Sequence, residues 1–346
     1  MPRVSIVVPT HARRESLLRL LRSLAEQTAD PRLFEVVVSI DGADDSVAEA
    51  IDALSAPFRL RYTSQPHRGR AAACNAGARE ATGEIILFLD DDMEAMPGFV
   101  AAHVAAHNTG VALGVVGAAP IVVVQDAPPI VRYRAAGFSR KMARLASDPG
   151  NVALTDVYTG NFSLPRDLFF SVGGYDEEFR LYGHEDYDLA LRLGRKGVKF
   201  VFDPSAIARQ HYAKNFRSLA ADTEGEGTTA VLFVLKHPEV FPALQISHYG
   251  RRPRLKRARL AALVALSRIH RPFRERMLAS VEKLERRSAP SRYPALFARY
   301  DLVFDLLYWF GVERALGDPH ALSGVAFTDV EQRIAAAARH QPDSGR

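Results

Sequence analysis

Five consecutive apolar residues, Ile85–Leu89, run directly into three adjacent carboxylates, Asp90, Asp91 and Asp92. An apolar run of this length that ends at a polar turn is typical of a strand covered on both faces. In α/β proteins, ligands bind beyond the carboxyl ends of the strands, where these acids would lie. Three like charges so close together are unfavourable unless a cation offsets them. A solvated acidic turn is the alternative, but the pattern favours a site for Mg²⁺ or Mn²⁺ with a phosphate-bearing ligand, because these ions prefer oxygen ligands.

The composition is that of an ordinary globular protein. Of 346 residues, 47% are hydrophobic and 25% are charged, which argues against gross disorder. Cys74 is the only cysteine, so an intrachain disulfide and a zinc site built from cysteines are both excluded. The sequence has no apolar signal segment and no run of about 18 apolar residues that could cross a membrane, so we expect a cytoplasmic location.

Apolar runs alternate with helical periodicities in the first third of the chain. Strands are predicted at residues 4–8, 34–40, 58–62, 85–89 and 112–117, and helices at residues 17–24, 46–54, 70–80 and 97–108. Ser46 is the expected N-cap of the second helix. Three prolines predict a loop at residues 119–129, and a further helix is predicted at 215–235. This alternation predicts a mostly parallel α/β sheet with helices on both faces.

A second acid ends a second strand. Asp41 follows the strand at 34–40 as Asp90 follows the strand at 85–89, so both would lie at one edge of the sheet. Together they could bind a nucleotide, although a simple turn at Asp41 is the alternative. Arg70 adds a cation near a helix N-terminus, where anions are favoured. No Gly-x-Gly-x-x-Gly or Walker-type motif is present, which argues against two common nucleotide-binding designs.

These motifs resemble those of the family 2 glycosyltransferases, which are inverting enzymes of the GT-A fold. The resemblance lies in residues 4–10, 36–41, 70–84 and 89–92, within roughly the first 120 residues. It implies that Pro9, Thr10 and Asp41 contact the nucleoside of a nucleotide-sugar donor and that Arg70 supports the diphosphate.

The resemblance also assigns the acid triplet. Asp90 and Asp92 would hold Mn²⁺ or Mg²⁺, with Asp92 as the direct ligand, while Asp91 would face the ribose or the donor sugar. His211 would complete the metal site, although a lone histidine with a purely structural role is the alternative.

The second half resembles a catalytic segment shared with the galactosyltransferase group, at residues 160–164, 172–179 and 183–189. Gly160 and Asn161 are thereby assigned to the nucleotide-sugar site. Glu185 and Asp186 would open a helix beneath the acceptor, with Asp186 as general base and Glu185 as its rival. Inverting transfer needs one carboxylate to accept the proton of the attacking hydroxyl. An acid-rich helix N-terminus, favoured by the helix dipole alone, is the alternative.

Three further residues are assigned to the acceptor side of the site. Gly173 and Gly174 would allow a sharp turn or a close approach of the backbone to the acceptor. His184 stands where the family often has Trp or Gly, so this chain departs from the family pattern at the acceptor pocket.

The C-terminal part of the chain is basic. Between residues 251 and 299, lysines and arginines greatly outnumber the three glutamates. A solvated helical face and a surface for anionic lipid are both compatible with this pattern, and a nucleic-acid patch is not favoured. The aromatic segment at 300–310 is too short to span a bilayer. It could lie at a lipid interface, pack in a core or form a dimer contact.

The resemblance therefore implies a metal-dependent inverting glycosyltransferase with a GT-A domain at residues 1–248 and a basic helical extension at 249–346. Residues 1–120 would form the donor-binding half and 121–248 the acceptor and catalytic half. The donor is expected to be a UDP-sugar and the acceptor a carbohydrate or a lipid-linked hydroxyl, in surface polysaccharide or glycolipid synthesis.

The expected location is the cytoplasm or the inner face of the membrane, with anionic lipid as a partner of the extension and nucleic acid not expected. One rival is a sugar nucleotidyltransferase, which would want a glycine-rich basic loop where this chain has Pro9-Thr10-His11. The other rival is an inactive membrane scaffold, which would have no need of the intact acids.

Overall fold

A computed structural model describes residues 2–109, 111–248, 251–269 and 271–316 of the chain. The chain divides into two compact units. Unit 1 comprises Met1–Arg180 and Glu185–Ala213, and unit 2 comprises Leu181–His184 and Lys214–Arg346. This division follows packing, and the expected functional boundary at residue 248 stays a prediction. Residues 317–346 of the predicted extension lie outside the described residues.

Unit 1 is built on one sheet of eight strands in the order β3-β2-β1-β4-β7-β6-β8-β5. The strands are β1 (Val4–Thr10), β2 (Phe34–Asp41), β3 (Arg59–Gln65), β4 (Ile85–Leu89), β5 (Met93–Ala95), β6 (Leu113–Ala118), β7 (Asn161–Pro165) and β8 (Lys199–Gln210). β1 pairs in parallel with β2 and β4, β2 with β3, and β6 with β8. β7 is antiparallel to β4 and β6, and β5 is antiparallel to β8. The predicted mostly parallel sheet is thus confirmed.

Helices connect most of these strands. Unit 1 contains α1 (Arg14–Ala25), α2 (Asp45–Asp52), α3 (Arg70–Glu80), α4 (Phe99–Ala106), α5 (Pro129–Ser147), α6 (Arg166–Ser171) and α7 (Glu185–Arg195). The cap of α2 is Asp44 and not Ser46 as predicted, since the Asp44 carboxylate accepts from the backbone N–H of Val47 at 3.3 Å. The predicted loop at 119–129 ends one residue early, because Pro129 begins α5, where its missing N–H costs nothing.

The alternation of side chains on the central strands divides the core into two layers. On β4, Ile85, Leu87 and Leu89 pack on one face of the sheet and Ile86 and Phe88 on the other. All five are buried. Burial of a side chain of this size contributes about 1.5–3 kcal/mol relative to exposure. The strand that carries the acid triplet is therefore held firmly from both sides.

Unit 2 is helical. Its helices are α8 (Phe216–Lys236), α9 (Arg254–Ile269), α10 (Arg271–Arg287) and α11 (Tyr293–Leu316). α8 crosses α11 at Gly227 and Gly311, where a Cβ atom on either glycine would overlap a backbone carbonyl of the other helix. Tyr300 and Trp309 are buried, so the aromatic segment at 300–310 packs in the core of unit 2. No helix in the described part of the chain is long and apolar enough to cross a membrane.

Candidate active site

The acid triplet lies in the turn between β4 and β5. Asp91 and Asp92 are buried, while the Asp90 side chain is 31% exposed. The Asp90 backbone N–H donates to the Gly160 carbonyl at 3.1 Å. A Cβ atom on Gly160 would overlap the Asp90 carboxylate, so this position accepts only glycine without a shift. The predicted nucleotide-sugar residue Gly160 thus packs directly against the triplet.

Asp91 is held by two side chains from the end of β1 and the loop after it. Thr10 donates its hydroxyl to Asp91 Oδ2 at 2.7 Å, and Arg13 Nη1 donates to Oδ1 at 3.1 Å. Arg13 also lies 3.8 Å from Asp92 Oδ2. The sequence did not single out Arg13, although its place three residues after Thr10, in the loop before α1, was an available signal.

Asp92 is bound from the end of β8. Gln210 donates to both carboxylate oxygens of Asp92 at 3.3 Å, and the backbone N–H of His211 donates to the Asp92 carbonyl at 2.8 Å. Burial, together with the charges of Asp90 and Asp91, raises the pKa of Asp92 to about 7. A cation beside Asp92 would act in the opposite direction and favour the ionised carboxylate.

The backbone of His211 is bonded to that of Asp92, but the ring of His211 contacts a different residue. Its Nε2 atom lies 2.6 Å from Glu94 Oε2. Within the described ranges, no three or more His, Cys, Asp or Glu side chains are grouped so that they could hold a metal ion. Mg²⁺ is commonly bound by one or two carboxylates together with substrate phosphates, so Asp90 and Asp92 fit such an ion without a preformed cluster. The ligand role of His211 stays a prediction.

Arg70 connects the triplet with the second predicted pair of acids. Its Nη2 and Nε atoms donate to Asp90 Oδ1 at 2.9 and 3.2 Å. Its Nη1 atom donates to Asp186 Oδ1 at 3.4 Å and to Thr159 Oγ1 at 3.0 Å, and it lies 3.9 Å from Glu185 Oε1. Burial alone would lower the pKa of Arg70, but the carboxylates outweigh it and raise the pKa, so the guanidinium stays charged.

Glu185 and Asp186 are the first two residues of α7 and occupy different environments. Asp186 accepts from both the hydroxyl and the backbone N–H of Thr159, the latter at 3.1 Å. Glu185 is buried, and its Oε2 atom has no hydrogen-bond partner in the described structure. Burial and then the charge of Asp186 raise the pKa of Glu185. Two neighbouring carboxyl groups in unlike environments can take unlike roles.

Asp41 lies at the same sheet edge, where the loop between β3 and α3 binds its carboxylate. Its Oδ1 accepts from the backbone N–H of Arg68 and its Oδ2 from that of Gly69, each at 2.8 Å, and His67 Nδ1 lies 2.8 Å from Oδ2. The ring of His67 stacks on that of His11, with centroids 4.3 Å apart. Asp41 thus shapes the loop that leads into α3, and its predicted contact with the nucleoside stays a prediction.

Two residues predicted to bind the nucleotide-sugar lie inside the sheet. Asn161 is fully buried, and its Nδ2 atom donates to the carbonyls of Ala118 and Ala206 at 3.0 and 2.9 Å. Its Oδ1 atom lies 2.9 Å from His103 Nε2. The structure therefore places Asn161 as a link between strands, because every polar atom of its amide is used internally. Pro9 is a buried residue of β1, paired with Ser39 of β2.

The three residues predicted for the acceptor side belong to different units. Gly173 and Gly174 have φ values of +82° and +73° and form a turn. Asn75 of α3 binds the backbone of Tyr175 in both directions, at 2.8 and 2.9 Å. This turn thus approaches α3 closely. The acceptor-side role of the two glycines stays a prediction. His184 belongs to unit 2, where its Nδ1 atom lies 2.9 Å from Thr229 Oγ1.

The site in unit 1 contains more carboxyl groups than cationic side chains, which favours binding of a metal cation. Two guanidinium groups, those of Arg13 and Arg70, contact five carboxyl groups. The carboxyl groups belong to Asp90, Asp91, Asp92, Glu185 and Asp186. The carboxyl groups thus outnumber the guanidinium groups, and carboxylate oxygens are ligands that Mg²⁺ and Mn²⁺ prefer. The residues present therefore fit a divalent metal ion.

Comparison with known protein families identifies the family to which this chain belongs. A model described as "Glycosyl transferase family 2" matches residues 5–170, and one described as "Glycosyltransferase like family 2" matches residues 145–254. The chain belongs to the family 2 glycosyltransferases and has the GT-A fold with a helical C-terminal extension. The resemblance drawn from the sequence motifs is confirmed.

Two relatives illustrate the match. The chain is 31% identical over 279 residues to validoxylamine A glucosyltransferase of Streptomyces hygroscopicus subsp. limoneus, covering 70% of this chain and 59% of that protein. It is 26% identical over 246 residues to pre-mycofactocin glycosyltransferase of Mycobacterium tuberculosis, covering 70% of this chain and 50% of that protein. The chain thus spans about half to three fifths of the length of these curated relatives.

Solved structures share the fold. Mannosyltransferase PcManGT from Pyrobaculum calidifontis, in complex with GDP-Man and Mn²⁺, superposes with a TM-score of 0.51 at 18% identity, covering 99% of this chain and 81% of that one. S. aureus TarS 1–349 in complex with UDP-GlcNAc gives a TM-score of 0.50 at 14% identity, covering 92% and 93%. At these identities the likeness concerns the fold.

Proposed function

We propose that this chain is a metal-dependent inverting glycosyltransferase that moves a sugar from a nucleoside diphosphate sugar to an acceptor hydroxyl. The observation that carries the proposal is the position of Arg70, which contacts Asp90 of the acid triplet and Asp186 of α7 with one guanidinium group. Carboxylates suited to a metal–diphosphate and a carboxylate suited to a general base therefore lie in one site. Family membership supports the same reaction class.

On the donor side, Asp90 and Asp92 would hold Mn²⁺ or Mg²⁺. When bound, such an ion offsets the negative charge of the diphosphate that leaves the sugar. Arg70 and Arg13 supply fixed positive charge beside the same carboxylates. Both guanidiniums are already paired, so they enter the reaction oriented and need little reorganisation.

On the acceptor side, Asp186 would accept the proton of the acceptor hydroxyl as its oxygen attacks the anomeric carbon. The bond from that carbon to the diphosphate breaks in the same displacement, so the configuration inverts. Thr159 and Arg70 hold the Asp186 carboxylate in one orientation. Glu185 would bind a sugar hydroxyl, since its buried Oε2 atom lacks a hydrogen-bond partner in the described structure.

The finer assignments follow from the same resemblance. We propose a UDP-sugar as donor and a carbohydrate or lipid-linked acceptor, in surface polysaccharide or glycolipid synthesis at the inner face of the membrane. The first half of α9 supports contact with anionic lipid, because Arg254, Lys256 and Arg259 are exposed there. Leu255 beside them is 82% exposed, which suits insertion between lipid headgroups.

The test is release of nucleotide from a panel of UDP-, GDP- and dTDP-sugars with Mn²⁺, with and without EDTA and candidate acceptors. We expect one donor to be turned over and EDTA to abolish the release. Asp92→Ala should lose metal-dependent donor binding in calorimetry, while the matched control Asp45→Ala, an exposed acid on α2, should bind as the wild type does. No turnover and no nucleotide binding across the panel would contradict the proposal.

A further inference from the structure

The turn of unit 1 at residues 173–180 packs against the middle of α3. Gly174 permits the close approach, because its φ is +73° and a Cβ atom there would lie 2.6 Å from Asn75 Oδ1. The buried amide of Asn75 bonds the backbone N–H and carbonyl of Tyr175 at 2.8 and 2.9 Å. The first half of the turn is therefore fixed to α3.

Glu177, in the second half of the turn, accepts hydrogen bonds from side chains spread along α3. Its Oε2 atom accepts from Arg68 Nη2 at 2.6 Å. Its Oε1 atom accepts from Asn75 Nδ2 at 3.0 Å and from Arg79 Nη2 at 3.4 Å. The three donors precede the helix, lie at its middle and lie in its last turn. Both oxygens of the Glu177 carboxylate are thus bound.

Arg68 belongs to the loop at residues 66–69, which binds Asp41. The backbone N–H groups of Arg68 and Gly69 donate to Oδ1 and Oδ2 of Asp41, each at 2.8 Å. The Gly69 carbonyl then accepts from the N–H of Ala73 at 3.1 Å, in the first turn of α3. Arg68 therefore contacts Asp41 through its backbone and Glu177 through its guanidinium.

The same turn also contacts the arginine that connects the two groups of acids. Arg70 Cζ lies 5.9 Å from the centroid of the Tyr175 ring, a cation–π distance. Arg70 donates to Asp90 and to Asp186. The turn thus contacts both the loop before α3 and the first residue of that helix.

An isolated surface ion pair would explain little here. The Arg68 side chain is 59% exposed, and a pair between two exposed side chains contributes little to stability. Glu177 differs, because it is only 26% exposed and is also bound by the Asn75 amide. A carboxylate that is held on one side can orient the arginine bound on its other side.

We infer that Glu177 is a positioning residue that fastens the 66–69 loop to the 173–180 turn, so that nucleotide binding at the loop is coupled to the order of the turn. Glu177 acts through Arg68 and does not itself contact the nucleotide. Such coupling is reciprocal, so a ligand that orders the loop also orders the turn. The inference rests on the proposed function, because the nucleotide is that of the proposed donor.

Amide hydrogen exchange of the nucleotide-free full chain tests the contact itself. Glu177→Gln keeps the size of the side chain and removes its charge. We expect faster exchange of the Arg68 and Gly69 amides and of the amides at 173–180, with unchanged exchange in β4. Glu49→Gln, which removes the charge of an exposed acid on α2, should exchange as the wild type does. Wild-type exchange of the Arg68 and Gly69 amides in Glu177→Gln would overturn the inference.

Calorimetry with UDP and Mn²⁺, and with GDP and Mn²⁺ as a second probe, tests the coupling. Glu177→Gln should raise the dissociation constant of whichever nucleotide the wild type binds by about fivefold. The sign is decisive, because loss of a negative charge would by itself favour an anionic ligand. Unchanged or tighter binding would overturn the inference.

A double variant separates the contact from net charge. Arg68→Gln/Glu177→Gln has the net charge of the wild type, yet it should bind the nucleotide about as weakly as Glu177→Gln, because both lack the same contact. Wild-type affinity in the double variant would show that charge alone caused the change and would contradict the positioning role.

Exchange with bound nucleotide completes the test. UDP or GDP with Mn²⁺ should slow exchange at 173–180 in the wild type and leave it unchanged in Glu177→Gln. Equal protection of the turn in both proteins would overturn the coupling. If the wild type binds neither nucleotide, the proposed function fails, and the nucleotide-free exchange of the Arg68 and Gly69 amides decides the role of Glu177 by itself.

Discussion

Arg70 is the residue on which the arrangement of the site depends most directly. It is 26% exposed at its side chain, and it donates to Asp90, Asp186 and Thr159. A planar guanidinium with five donors can make these contacts at once, which a lysine ammonium on a flexible stem cannot do with the same geometry. The charge of Arg70 also allows carboxylates from two distant parts of the sequence to lie near one another.

The pair Glu185 and Asp186 gives the first prediction. Asp186→Asn should leave donor binding intact and lower transfer by about 10²–10⁴-fold, the usual contribution of a general base. Single-turnover transfer and donor calorimetry on the same preparation measure the two effects separately. Glu185→Gln is the companion variant, and we expect it to raise the acceptor KM more than it lowers kcat. Near-normal turnover in Asp186→Asn would move the role of base to Glu185.

At the scale of elements, the predicted ranges were most accurate where the sequence pattern is compatible with only one kind of secondary structure. The range of α3 and that of β4 match their predictions residue for residue, because an alanine-rich helix and an uninterrupted apolar strand each have few alternatives. α5 was not predicted, since the prolines at 128 and 129 are equally compatible with a loop.

The site was predicted only in part, for a physical reason. The positions of residues that directly follow a strand, such as Asp90, could be predicted from the expected parallel sheet. The contacts of Arg13, Thr159 and Gln210 depend on side-chain reach across elements distant in sequence. The internal use of Asn161 likewise depends on how closely β6 and β8 approach it, which no local pattern specifies.

The packing of α4 on β7 gives a prediction of pH dependence. His103 is fully buried, with Nδ1 2.8 Å from Ser163 Oγ and Nε2 2.9 Å from Asn161 Oδ1. Burial lowers its pKa to about 4, below the value of about 6.5 expected in the unfolded chain. The unfolded state therefore binds more protons than the folded state between these values. The free energy of unfolding should fall as pH drops from about 6.5 towards 4.

Urea unfolding at pH 7, 6 and 5 measures this effect. We expect His103 to contribute a loss on the order of 2 kcal/mol between pH 7 and 5. His103→Gln should be less stable at pH 7 but should show a smaller loss between pH 7 and 5. If the free energy of unfolding of His103→Gln changed with pH as it does in the wild type, this role of His103 would be contradicted.

At the scale of the whole molecule, charge is distributed unevenly between the two units. The chain carries a net charge of +5, and unit 2 contributes the dense basic stretch at its α9. Two arginines of unit 2 that lie outside α9 form ion pairs: Arg252 pairs with Asp305 at 2.5 Å, and Arg314 with Glu224 at 2.9 Å. The positive surface that α9 could offer to a partner is made by other residues.

Those residues are Arg254, Lys256 and Arg259, all exposed on α9. If they meet anionic lipid, as the proposed lipid-linked acceptor suggests, each should contribute about 1 kcal/mol near a negatively charged surface. We therefore expect co-sedimentation with vesicles that contain phosphatidylglycerol, weak binding to pure phosphatidylcholine, and a loss of binding as salt rises. Lys256→Glu/Arg259→Glu should reduce binding at least tenfold. The matched double variant Lys196→Glu/Lys199→Glu reverses two exposed lysines of unit 1 and should bind as the wild type does. Binding that is indifferent to lipid charge, or equally reduced in both double variants, would assign the basic face of α9 to solvent.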